Sequence, residues 1–230
     1  MRFAQILSLA ALSSLLVATP CQAANVSDDA TYARKVMTSF AACTIRLEHR
    51  LARKFVLMSP ADRLPAEEFQ KIADGRCLGY LGGRLKMPQF EYRAALAEQL
   101  IRVESVRFSD AEAKTRPALD WSIAGTYRLD SPTGLGEFQL VTPDNLARSV
   151  LGPLGECIVR ANVAGAFAVI FAKKPADEVA AINVLSPQMT ACVEPDQTVK
   201  VPRSMLRDAL ALSYYRLAMA RPLAPQEAAK

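Results

Sequence analysis

The sequence predicts a mainly α-helical protein made of two copies of a three-helix unit, each closed by one disulfide. Three observations carry this reading. The motif Cys-x-(Ile/Val)-Arg is written twice, at Cys43–Arg46 and Cys157–Arg160. The offset that superposes the two motifs also lays ARKV (33–36) on ARSV (147–150), and KMPQFEYRAALAEQLIRV (86–103) on KVPRSMLRDALALSYYRL (200–217). Between these blocks the offset grows by one residue, which brings PAD at 60–62 onto PAD at 175–177 and Cys77 onto Cys192. The copies therefore span about residues 30–104 and 144–218, separated by an insert at about 105–143, in one domain from 24 to 218.

The N-terminus reads as a secretory signal peptide over residues 1–23. Arg2 gives a basic start, an apolar run follows from Ile6 to Val17, and small residues Cys21 and Ala23 frame a cut after Ala23. The run is too short to span a bilayer, which takes about 20 residues. Pro20 stands where a lipid-attachment motif before Cys21 would carry a small residue, so a soluble mature chain is expected.

The first helix carries Val36, Phe40, Cys43, Leu47, Leu51 and Phe55 at steps of three and four, one apolar stripe of an amphipathic helix. Ser59, Pro60 and Asp62 suit the start of the second helix, and Gly75 its end just before Cys77. Pro88 opens the third, whose buried face is Phe90, Ala94, Ala97 and Ile101, widened by Leu96, Leu100 and Val103. In the insert, SDAE at 109–112 is a capping signal for a short helix. WSIAGTYRL and GEFQLV flank a turn-rich DSPTGL, which predicts a β-hairpin. Trp121, the only tryptophan, is expected to pack this insert against the helices. In the second copy the first helix is apolar nearly all round through VAGAFAVIFA (163–172), which predicts a central position. Residues 219–230 read as a disordered tail.

Four cysteines remain after cleavage. An even number in an exported chain predicts disulfides, and the repeat favours Cys43–Cys77 and Cys157–Cys192, one bridge within each copy.

The chemistry of the chain narrows its function by exclusion. A formal net charge of +5 over 230 residues is too mild a basic excess for a nucleic-acid-binding protein. His49 is the only histidine, and it lies among arginines, so a Ser-His-Asp or Cys-His centre would depend on it alone. Oxidised cysteines leave no zinc site, and there is no Cys-x-x-Cys for thiol redox chemistry or covalent haem. No glycine-rich phosphate loop follows a strand. No metal or cofactor is expected.

Two groups of charges stand out. Arg46, Arg50 and Arg53, with Lys54, form a basic stripe on the first helix, suited to an anionic membrane surface or an acidic protein. Arg93/Arg207 and Arg102/Arg216 recur in both copies and are expected in structural ion pairs, with Asp62 and Asp177 as acids. The expected function is an exported, periplasmic or secreted cell-envelope binding protein without a catalytic site. Its partner would be an envelope protein or an anionic membrane surface. A second reading is a carrier of a small apolar ligand held between the helical units. A third is an envelope hydrolase using carboxylates that folding brings together.

Overall fold

A computed structural model describes residues 26–59, 62–81, 87–121, 150–194 and 200–222. The signal-peptide segment, the predicted hairpin beyond Trp121 and the tail from residue 223 lie outside the described residues. The described part is mainly helical. Its α-helices are α1 (Val26–Leu57), α2 (Ala66–Ile72), α3 (Gln89–Val103), α4 (Asp110–Thr115), α5 (Gly152–Ala161), α6 (Val163–Ile170), α7 (Pro175–Ala191) and α8 (Arg203–Met219). A 3-10 helix, Gly75–Leu81, lies between α2 and α3. Among the described residues, no helix is long and apolar enough to cross a membrane.

The centre is the pair α3 and α8, which pack on each other. α1 covers α3; α5 and α6 cover α8. Tyr214, Tyr215, Phe90, Leu96, Leu100 and Leu206 are fully or almost fully buried in this seam. The expectation that the apolar stretch 163–172 occupies the centre is therefore corrected. Ala164 and Ala168 face solvent, and alanine exposes too little apolar surface to force burial on all sides.

α1 departs from a straight helix at Glu48, whose φ of −135° and ψ of 48° are non-helical. The buried face runs on across the kink and takes only part of the predicted stripe. Phe40, Ala41 and Ile45 are buried before the kink and Ala52, Phe55 and Val56 after it, while Leu47 is left exposed. A second break falls at Asn162 (φ −158°, ψ 88°), which separates α5 from α6. Asn162 caps α6 by accepting from the Gly165 N–H at 2.7 Å, and Asp110 accepts the Val163 N–H at 2.8 Å.

α2 starts at Ala66, after Pro65, and not at Pro60. A residue before proline is driven from helical backbone angles, so Leu64 blocks extension backwards. The end of α2 is held by hydroxyls: Thr44 donates to the Ile72 carbonyl at 3.2 Å, and Tyr92 donates to the same oxygen. Burial pushes the Tyr92 phenol up to about 12, so it stays a donor. α3 and α8 both begin after a proline, Pro88 and Pro202. α4 carries the expected capping box. Ser109 accepts from the Glu112 N–H at 3.2 Å, and Glu112 accepts from the Ser109 N–H at 2.7 Å.

Two disulfides are present. Cys43–Cys77 ties α1 to the 3-10 helix, with Cα atoms 5.5 Å apart. Cys157–Cys192 ties α5 to the residue that ends α7, with Cα atoms 5.8 Å apart.

Candidate functional site

The repeated arginines hold the fold in four different ways, none of them through Asp62 or Asp177. Arg93 is buried and donates to the last carbonyls of α1 and the turn beyond: Nε to Phe55 at 2.8 Å and Nη2 to Met58 at 2.5 Å. It also lies 5.0 Å over the Phe55 ring. A cation at a helix C-terminus answers the unpaired carbonyls and the negative dipole end. Arg207 pairs with Glu178 at 2.7 Å, one residue along from Asp177. Neighbouring helical positions point about 100° apart, so only one of the two acids in the first turn of α7 can face α8. Asp62 is exposed in the turn before Pro65, its N–H donating to the Ser59 carbonyl at 3.0 Å, and is not at the start of α2. Arg102 lies 3.5 Å from Glu98, and Arg216 donates to the Asp120 carbonyl at 3.0 Å beneath the Trp121 ring.

The kink at Glu48 falls between Arg46 and Arg50 of the predicted basic stripe. Arg46, Arg50 and Arg53 are all exposed. Arg53 contacts Met219 Sδ at 3.2 Å, and Lys54 pairs with Glu68 at 2.7 Å. The stripe forms no cavity.

A cavity of about 560 Å³ opens instead between the first half of α1, the end of α3 and the end of α6. Five cations line it: Arg34 and Lys35 from α1, Arg102 from α3, Arg107 from the turn after α3, and Lys173 after α6. Among the described residues, Glu98 is the single carboxylate of the lining. Thr38, Ser39 and Ser105 add hydroxyls. Ser105 has a φ of 52°, a left-handed angle that turns the chain sharply out of α3 and carries Arg107 back to the rim.

Two aromatic rings set the geometry of the cations. Phe167 and Phe171, one turn apart at the end of α6, have centroids 4.4 Å apart. Arg107 lies 3.9 Å over Phe167, and Arg102 lies 4.9 Å over Phe171. Arg107 Nη1 donates to the Val106 carbonyl at 2.8 Å and Arg102 Nη2 lies 3.5 Å from Glu98 Oε1; the remaining N–H groups of a ring-stacked guanidinium suit pairing with a carboxylate or phosphate. The Arg102 side chain remains 55% exposed, so much of it faces the cavity and solvent.

Behind the cavity wall lies a charged network. Arg34 stands 3.9 Å from Glu98 and donates to the Ile170 carbonyl at 3.4 Å. Burial and the nearby Arg207 lower its pKa. Asp208 on α8 feels Arg207 and Arg34 on one side and Glu91 and Glu98 on the other; burial pushes its carboxyl up to about 7. Both Arg34 and Asp208 fall within stretches that the repeat singles out, but their meeting could not be read from it, because the three helices that supply the network are far apart in the chain.

His49 is used at the end of α3. Its Nε2 lies 3.1 Å from Glu104 Oε1, off the line of a ring N–H hydrogen bond, and Tyr215 donates to Glu104 Oε2 at 2.8 Å. Burial, with Glu104 alongside, raises the Tyr215 pKa and keeps the phenol a donor. This cluster anchors the turn that presents Ser105; His49 is not in the cavity lining. Among the described residues, no group of three or more His, Cys, Asp or Glu side chains is arranged to hold a metal ion. A second cavity of about 490 Å³ is lined by Leu154, Met189, Val193, Lys200, Val201 and Pro202 and has no comparable charge. No protein-family model matches this chain, and no match was found among curated proteins or solved structures.

Proposed function

We propose that this chain is an exported, non-catalytic binding protein of the cell envelope, and that its site is the cationic cavity rather than the basic stripe of α1. One observation carries the reading: five cations and a single carboxylate surround a cavity of about 560 Å³. Two of those cations are held in place by stacking on Phe167 and Phe171. Such a lining attracts an anionic partner and leaves little room for acid–base chemistry, which needs groups that exchange protons near neutral pH. Export is supported by the N-terminal pattern at 1–23 and by two disulfides, which persist in oxidising compartments.

The architecture we propose is a duplicated three-helix unit in pseudo-symmetric arrangement, with a hairpin in the insert. Three paired features favour the duplication: the two local disulfides, the prolines before α3 and α8, and the helix breaks at Glu48 and Asn162. The offset that lays Cys43 on Cys157 also lays Glu48 on Asn162.

Titration calorimetry with inorganic phosphate at low ionic strength tests the site. Binding is expected to weaken at least about tenfold in the double variant Arg102→Gln with Arg107→Gln, which removes two charged donors. It is expected to hold in Arg46→Gln with Arg50→Gln. The opposite pattern would return the function to the stripe, and no heat with either protein would remove the anion-binding reading.

A further inference from the structure

The duplication proposed above places a second, occupied version of the cavity in the same molecule. In the register that lays Cys43 on Cys157, Thr38 falls on Gly152 and Arg102 falls on Arg216. Thr38 and Arg102 line the open cavity. Gly152 and Arg216 instead meet one side chain, Trp121. A Cβ added to Gly152 would stand 2.3 Å from the Trp121 ring, and the Arg216 guanidinium lies 4.5 Å over that ring. The consequence for accessibility is large: Arg216 is buried at 6% exposure, whereas the side chain of Arg102 is 55% exposed. In the second copy the indole of Trp121, supplied by the insert, thus fills the place that the first copy leaves open.

The two places differ in charge. Trp121 Nε1 donates to Glu156 at 2.7 Å, and the residue that corresponds to Glu156 in the first copy is Ala42. That position offers no acid, and the open cavity presents Lys35, Arg107 and Lys173, with Glu98 taken up by Arg34 and Arg102. A flat ring therefore suits both places. The ring in the second must donate to a carboxylate; the ring in the first must bring negative charge.

We infer that the open cavity takes an aromatic oxyanion, a flat ring bearing a phosphate or carboxylate, with the ring on Arg102 and Phe171 as Trp121 lies on Arg216, and the anion on Arg107 and Lys173. The inference rests on the anion-binding reading and adds the aromatic requirement. Stacking against a guanidinium and a phenyl ring selects for the ring, and the bidentate fork of Arg107 selects for the oxyanion.

The experiment compares 1-naphthyl phosphate, inorganic phosphate and 1-naphthol on the wild-type mature protein by titration calorimetry. Naphthyl phosphate is expected to bind at least about tenfold more tightly than either fragment, from a ring stack added to a charge contact. Arg102→Gln, on an exposed side chain, is expected to erase most of that advantage while its thermal midpoint stays near wild type. Equal affinity for naphthyl phosphate and inorganic phosphate would overturn the aromatic inference and leave the anion-binding reading standing. Equal affinity for naphthyl phosphate and naphthol would overturn the oxyanion and favour a carrier of apolar ligands. No binding of any of the three would remove both.

Discussion

Asp208 shows how one residue sets the pH response of the fold. Its carboxyl, ordinarily near 3.8, is pushed up to about 7 by burial, with Glu91 and Glu98 adding to the shift and Arg207 and Arg34 opposing it. The unfolded chain loses this proton near pH 4, and the folded chain keeps it until about pH 7. Between those values the native state binds more protons than the unfolded state, so stability falls as pH rises through the window and is level above it. Asp208→Asn keeps the shape without the titration. The urea midpoint of the wild type should therefore drop between pH 5 and pH 8 by more than that of the variant; equal drops would show that Asp208 does not control the response. Arg207 adjoins Asp208 in the sequence, but Arg34, Glu91 and Glu98 come from α1 and α3, so the stretch around Asp208 does not announce this. The arginines recur between two similar stretches of the sequence, which made a structural role legible but not their partners. Arg93 turned to carbonyls and Arg207 to Glu178, choices fixed by where each helix ends.

At the scale of elements, periodicity located α1 and α3, and the prolines before α3 and α8 mark where both begin. Periodicity failed where burial runs beyond one stripe or a local backbone event intervenes. α3 is buried on nearly all sides from Phe90 to Ile101 and α8 from Leu206 to Leu217, Leu47 beside the kink at Glu48 is exposed, and α2 starts at Ala66, after Pro65, and not at Pro60. The cavity was invisible for a related reason: its cations come one or two at a time from α1, α3, the following turn and the end of α6, and only packing assembles them. Close helix contact is also a property of particular positions. A Cβ at Gly155 would stand 2.6 Å from the Ala209 carbonyl oxygen, where α5 crosses α8, so backbone would have to move. Gly155→Ala is expected to cost about 1–3 kcal/mol in chemical denaturation. Gly75→Ala, with nothing within 4 Å of the added atom, is the control and should lie within about 0.5 kcal/mol of wild type.

For the whole molecule, the mainly helical class and the two bridges were legible in the sequence. Counting cysteines alone leaves three pairings for four residues. It was the internal similarity of the chain that selected neighbours in each copy. Each bridge closes a loop with a sequence separation of 34 or 35 residues. Removing the second with Cys157→Ser and Cys192→Ser should lower stability by about 3–4 kcal/mol, the chain entropy released to the unfolded state. A loss below about 1 kcal/mol in urea denaturation would mean that α5, α7 and α8 hold their packing without it.

The pairing also has an order in time. A chain emerges from its N-terminus, and the two native bridges join cysteines that follow one another in that order, Cys43 with Cys77 and Cys157 with Cys192. Oxidation of each pair as it became available would make both bonds and leave no earlier choice for a disulfide isomerase to undo.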